Sequence, residues 1–561
     1  MFELMIRNAQ IIDGTGADGF VGDVAVDDGK IVEVAATIDG GIKRGATREI
    51  DATGKILTPG FVDIHTHYDG QVCWDKEVTP SCWHGVTTVV MGNCGVGFAP
   101  VRAGTENALV ELMESVEDIP GTALHEGIPW TWESFGEYLD SIDTPYSVDI
   151  GAQVPHVAIR HYVMGERCYG DASKDDMREM AALTKQALVD GALGFSTSRF
   201  YGHLDKQGNV VPGTHAHEDE MLSIGDAIAG IDHGTIEIIS DRLNDKREQD
   251  WIEDLARRTG RPVTILVSSN VGPGVWKFAE RLNAEGVKLR PQVGARPASI
   301  LMSLEGTVNP MRQFPAYSEI KSLPIAEQHK HLLDPEFRAK VMGDTPKVAR
   351  YADTQKMITS WDLMYVLPTD LSYEPNHGES LAGIAEAQGI HVREALMDAM
   401  AGGRPILYLI GDYQGNLERQ RSGIAHENSV FGLSDGGAHC GVLCDASAPT
   451  YMLAYMSRDR TKGDTFSLEF TVHKMTQDTA QVYGLNDRGV IAPGYKADIN
   501  IIDFDKLALM DPEMIYDLPA GGKRLIQKAR GYVATICNGI VTYENGKHTG
   551  AKPGRLVRGH S

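Results

Sequence analysis

The pattern of apolar and polar positions divides the chain into three parts. Near the start, "LMIRNAQIID" and "GDVAVDDGKIVEVA" carry β-branched residues in partial alternation, and Asp28-Gly29 between two such runs predicts a hairpin turn. The far end repeats the pattern in "KADINIIDFD" and "GYVATICNGIVTYENGK", with a second turn predicted at Asn538-Gly539. Two strand-rich ends around a long middle predict one small β domain built from residues 1–58 and 486–561.

The middle, residues 59–485, alternates between strand-like and helical stretches. "GVTTVVMGN", "SVDIGAQVPH", "GALGFSTSR", "GTIEIIS", "RPVTILVSS" and "NSVFGLSDGG" are short apolar runs, most of them ending in polar residues. Between them lie helical patterns, clearest in "SKDDMREMAALTKQALVDG". There Ser173 and Asp176 form a capping-box pattern and Gly191 stands where the helix should stop. This alternation predicts an α/β fold, a parallel (β/α) barrel in preference to a doubly wound sheet, since no Gly-rich dinucleotide fingerprint follows the first strand. Residues 272–350 are richer in Pro, Arg and Lys and break the rhythm, which predicts an elaborated loop or lid.

Three features carry chemistry. "PGFVDIHTHYDG" places His65 and His67 two apart after an apolar run, so both rings project from one face at a strand's C-terminal end. Such a pair is half of a zinc-type site, although an isolated HxH is as readily two core or solvated histidines. Cys94 ends the strand "TTVVMGNCG"; alone it reads as a small buried apolar residue, and as thiolate it ligates zinc. Asp435 follows a late strand in "VFGLSDGGAH", flanked by small residues. It reads either as an Asx-turn or cap, or as a carboxylate that touches a metal and serves as general base.

Composition narrows the partners. The 561 residues are 42% hydrophobic and 23% charged, ordinary for a globular protein, and a net charge of -24 repels nucleic acid and anionic membranes. The N-terminus lacks a signal-peptide pattern and no apolar run is long enough to span a bilayer. Seven scattered cysteines, an odd number, fit a reducing cytoplasm. A homo-oligomer is compatible with all of this.

Together the HxH, the Cys and the late Asp resemble the amidohydrolase superfamily. "PGFVDIHTHYD", "TTVVMGNCG", "GALGFSTS", "KMTQDTAQVYGLNDRGVIAPGYKADINIIDFD" and "GKHTGAKPGRLVRG" resemble, in order over nearly the whole chain, its D-aminoacylase (N-acyl-D-amino-acid deacylase) branch. The resemblance implies a distorted TIM (β/α) barrel with a β-sandwich from both termini, Zn2+ and hydrolysis of an amide C–N bond in a small N-acyl substrate. It implies that His65, His67, Cys94 and Asp435 bind metal, with Cys94 bridging and Asp435 also acting as base.

The match breaks at two places. The histidines that the branch carries at the ends of the fifth and sixth strands align with Ile239 and Val267, which cannot ligate. Asp241, Ser268 and Asn270 lie nearby without suitable spacing. One tightly held ion, on the His65, His67 and Asp435 side, is therefore the expectation. The lysine that grips a substrate carboxylate is also missing. Arg199 is the first candidate to replace it and Arg296 the second, with Tyr201 and His203 as further substrate-binding candidates in the loop "RFYGHLD". The leading reading is a linear N-acyl amide hydrolase. A cyclic (hydantoin-like) or aryl amide on the same fold is the alternative, and a metal-poor, non-catalytic binder is the alternative of another class.

Overall fold

The computed structural model describes residues 1–267 and 271–559. Eight parallel strands curl into a barrel: Phe61–Asp63, Val86–Met91, Asp149–Pro155, Gly194–Arg199, Thr235–Ser240, Val263–Leu266, Leu289–Val293 and Val430–Phe431. They are called the first to eighth barrel strands below. The sheet runs in chain order, and a parallel bridge between Thr66 and Gly436 brings the last strand to the first just beyond their ends. Most strand residues are buried on both faces, as a parallel sheet wrapped by helices requires.

Local signals explain the connections. Ser173 and Asp176 form the expected reciprocal cap at the start of helix Lys174–Val189, and Gly191 takes a φ of 112° just past its end. Asp28 and Gly29 both adopt positive φ between paired strands Phe20–Asp27 and Lys30–Ala36; Asn538 and Gly539 do the same between Tyr532–Cys537 and Ile540–Glu544.

A nine-stranded sheet draws on both ends of the chain. Its seam is the antiparallel pairing of Ile56–Pro59 with Ile499–Ile502, and Leu4, Ile6, Val24, Leu57, Ile499 and Ile536 form its own core. Pro59 ends the strand at this seam and the first barrel strand begins two residues later, so the β domain holds the strand that leads into the histidine pair.

The segment 272–350, expected as one elaborated loop, divides in the structure. Helix Pro273–Ala284 and strand Leu289–Val293 belong to the barrel. The insertion proper lies between the seventh and eighth strands and continues past residue 400. A three-stranded antiparallel sheet, Ser299–Met302, Ile406–Leu409 and Met364–Val366, packs with short helices around Met302, Phe314, Leu332, Leu396 and Ile406. The seventh strand escapes the apolar pattern because "LRPQV" contains Arg, Pro and Gln: Arg290 bonds the Asn428 and Ser429 carbonyls, and Gln292 points into the barrel. Among the described residues no helix is long and apolar enough to cross a membrane.

Candidate metal centre

His65 and His67 follow the first strand with ring centroids 5.4 Å apart, both buried at the C-terminal mouth of the barrel. His65 Nδ1 lies 3.1 Å from Gln292 Oε1, whose own amide nitrogen donates to Thr264 Oγ1. The amide oxygen can only accept, so Nδ1 carries the proton and Nε2 presents its lone pair to the cavity. That lone pair sits 3.5 Å from Cys94 Sγ and 3.3 Å from Asp435 Oδ1. His67 Nε2 lies 3.8 Å from the same carboxylate oxygen.

Backbone strain aims these groups. Cys94 and Asp435 hold φ values of 55° and 49°, and His439 one of 51°, in a region that costs non-glycine residues on the order of 1–3 kcal/mol. At Cys94 the amide N–H donates to Glu237 Oε2 at 2.9 Å; at Asp435 it donates to the His65 carbonyl at 3.1 Å. The small residues after Asp435 are needed: a Cβ on Gly437 would fall 2.9 Å from the His67 carbonyl oxygen.

The structure also brings Glu117 and His203 into this cluster. Glu117 is the last residue of helix Glu106–Glu117 and is fully buried. Its Oε1 lies 3.6 Å from His67 Nδ1, and neither atom has a hydrogen-bond partner. Its Oε2 lies 3.4 Å from His439 Nε2. His203, beyond the fourth strand, bonds Ser198 Oγ through Nδ1 at 2.8 Å, which leaves Nε2 for the cavity. Donor atoms of His65, His67 and Cys94 lie within 4.8 Å of one another, and so do those of Cys94, Glu117 and His203.

Burial sets the electrostatics. It lowers His65 and His203 to about 3, His439 to about 4 and His67 well below its usual value, so the imidazoles are neutral near pH 7. It raises Asp435 to about 8 and holds Cys94 and Glu117 well above their usual ranges. Among the described residues the cluster contains no Lys or Arg; a divalent cation is the group that reverses the balance and stabilises the anionic donors. Neutral imidazoles, a thiol, carboxylates and two unpartnered buried polar atoms form a donor set that fits zinc or a similar ion.

The cluster opens into a cavity of about 450 Å³. Ile239 and Val267 line it at the ends of the fifth and sixth strands and are joined by Leu266, Ile300, Ile410 and Leu433. Asp241, at the rim, accepts the Tyr201 N–H at 2.7 Å; Ser268 and Asn270 lie outside the described residues.

The other sequence candidates separate. Arg199 is not among the cavity-lining residues: Nε donates to Glu248 at 2.9 Å, Nη1 to the Ala216 carbonyl, and the guanidinium lies over Trp251. Arg296 does line the cavity, yet Nη1 bonds Asp445 and Nη2 bonds Ser447 and Gln527, with the guanidinium held between Tyr373 and Tyr451 and only Nε unpartnered. Tyr201 is largely exposed, with its ring against His215, and does not line the cavity. Sequence reasoning missed Glu117 and Gln292. Neither stands in a recognisable motif; only a polar residue inside an apolar barrel strand marked Gln292.

The model of the Amidohydrolase family matches residues 48–343 and 387–543. The chain is 25% identical to the D-aminoacylase of Alcaligenes xylosoxydans xylosoxydans, over 99% of this chain and 97% of that protein. It is 26% identical to the N-acyl-D-aspartate deacylase of the same organism, over 99% and 95%. Among solved structures, the N-acyl-D-glutamate deacylase of Bordetella bronchiseptica, complexed with zinc and a phosphonate inhibitor, superposes with a TM-score of 0.65 at 21% identity, covering both chains fully. The unmatched stretch 344–386 falls within the insertion between the seventh and eighth strands.

Proposed function

The chain belongs to the amidohydrolase family, and we propose that it uses zinc to hydrolyse the linear amide of an N-acyl amine, either an N-acyl-D-amino acid or a close relative of one. The observation that carries this reading is the convergence of His65, His67, Cys94 and Asp435 at the C-terminal mouth of the barrel. These residues would hold the ion, which when bound supplies Lewis acidity toward water and toward the amide carbonyl.

The chain's own groups supply the rest. Asp435 is the carboxylate that is open to the cavity and within reach of both rings, so it accepts a proton from the attacking water and returns it to the amide nitrogen as the C–N bond breaks. The products are a carboxylic acid and an amine. Gln292 fixes the His65 tautomer, so that Nε2 never has to lose a proton to ligate. The apolar walls from Ile239, Leu266, Val267 and Leu433 keep bulk water from the scissile bond.

The walls also bear on the substrate. Arg296 is the one Lys or Arg among the described lining residues, and its terminal nitrogens are bonded to the protein. Among the described lining residues a free carboxylate on the substrate would meet no ammonium and no guanidinium with free terminal nitrogens. This favours N-acyl amines with an uncharged, apolar amine portion over acidic N-acyl amino acids.

The test is amine release by the purified protein from D and L N-acyl amino acids and from matched amides and esters that lack the carboxylate. Release should be selective for one enantiomer, faster for the uncharged members, abolished by chelation and restored by zinc. Release that survives exhaustive chelation, or none from any linear amide, would defeat the reading.

A further inference from the structure

We propose that a second divalent cation binds between Cys94, Glu117 and His203 and shares the Cys94 sulfur with the ion held by His65, His67 and Asp435. The inference rests on the hydrolase reading for that first ion and goes beyond it, because it adds a binding position whose carboxylate comes from a helix end and whose imidazole comes from a loop.

Geometry makes the first argument. Donor atoms of the three residues lie within 4.8 Å of one another, while donors around a tetrahedral zinc are roughly 3.5 Å apart given its bond lengths of about 2.0–2.3 Å. Small side-chain rotations close that gap. Ser198 occupies His203 Nδ1, which fixes the ring so that Nε2 is the ligating atom, as the outer partners of metal-bound histidines do.

The second argument is independent and concerns Glu117. Its side chain is 1% exposed, and Oε1 has no hydrogen-bond partner. It is also the final residue of a 12-residue helix whose last turn contains no basic side chain. The helix dipole places partial negative charge at that end. A buried carboxylate there is doubly unfavourable until a cation arrives. His439 Nε2 faces Oε2 at 3.4 Å and His67 Nδ1 faces Oε1 at 3.6 Å, without a hydrogen bond at Oε1. Asp118, next in the chain, is by contrast satisfied by the Gly441 N–H and the Thr307 hydroxyl, and asks for nothing further.

Charge balance makes the third argument. With both positions filled, four positive charges meet the thiolate of Cys94 and the carboxylates of Glu117, Asp435 and the adjacent Glu237. With one ion, those four anions exceed the cation by two in a buried cluster where the described residues include no Lys or Arg.

The experiment is a zinc titration of the full-length protein by equilibrium dialysis with elemental analysis. It is run beside Glu117→Gln, His203→Asn and His65→Asn, each checked for a native circular dichroism spectrum. Two equivalents should bind to the wild type. Glu117→Gln and His203→Asn should each weaken one equivalent by more than about a hundredfold, beyond the 10–100-fold typical of an outer-shell partner, and leave the other. His65→Asn should weaken the other equivalent. One equivalent in the wild type, unaffected by Glu117→Gln and lost in His65→Asn, overturns the second position and leaves the hydrolase reading intact. No bound zinc at all overturns both. Should the variants fail to fold, anomalous scattering from wild-type crystals grown with zinc decides the matter: a peak in bonding range of Cys94, Glu117 and His203 supports the proposal, and a single peak at His65 and His67 overturns it.

Discussion

The two sides of the barrel mouth differ sharply in chemistry. The strand ends and loops after the first, second, fourth and eighth strands present His65, His67, Cys94, Glu117, His203 and Asp435, while the described cavity-lining residues at the ends of the fifth and sixth are Ile239, Leu266 and Val267 beside Ser240 and Asp241. A parallel barrel places every strand end on one rim, so position in the fold does not decide which side carries donors. What differs is the second set of contacts. Three donors on the polar side are aimed by a neighbour: Gln292 for His65, Ser198 for His203, and the Glu237 carboxylate beneath the Cys94 amide. The apolar side needs no such support and makes a wall. The same rim thus divides into a half that holds charge and a half that excludes water.

That division can be broken or sharpened by substitution. The largest effect should come from Asp435→Asn, which removes the carboxylate proposed as the proton carrier and should lower kcat/KM by about 10²–10⁴-fold, while Ile239→Ala across the rim should change it by less than about tenfold. Steady-state amine release from one N-acyl substrate checks both; comparable losses would erase the distinction between the halves. Next, Arg296→Ala should cost stability rather than substrate binding. It leaves Asp445 without its buried partner, a loss of about 3–5 kcal/mol by denaturant unfolding. A selective rise in KM for carboxylate-bearing substrates with stability unchanged would instead make Arg296 a substrate residue. Ser198→Ala should weaken zinc at the His203 position by about 10–100-fold and leave the His65 position alone, read by the same dialysis titration. The smallest effect belongs to Ser173→Ala, far from the rim: it removes a helix cap, costs about 1 kcal/mol and leaves amine release unchanged.

Much of the frame was legible from periodicity. Six apolar runs became barrel strands, and both Xaa-Gly turns formed where Asp28 and Asn538 announced them. The seventh strand was not legible, because Arg290, Pro291 and Gln292 interrupt its apolar pattern for reasons that exist only in three dimensions. The insertion was placed too early for the same reason, since its start was read from the composition around that hidden strand. In the site, His65 and His67 were legible from their spacing of two just past an apolar run, and both rings meet at the mouth although the first strand itself ends at Asp63. Glu117 was not, because nothing in "MESVEDIP" distinguishes a surface glutamate from one turned inward at a helix end. His203 was visible as a loop residue, but its role depends on the Ser198 bond and on a neighbour from another helix.

The pairing of Ile56–Pro59 with Ile499–Ile502 has a consequence for synthesis on the ribosome. The earlier strand emerges well before its partner. At about 5–20 residues per second the interval is roughly tens of seconds, during which the barrel can form but the terminal sheet cannot close. The strand that leads into His65 and His67 leaves directly from that unfinished sheet. Full alignment of the histidine pair therefore waits for the later strand, and a chain truncated before residue 499 would lack it however complete its barrel.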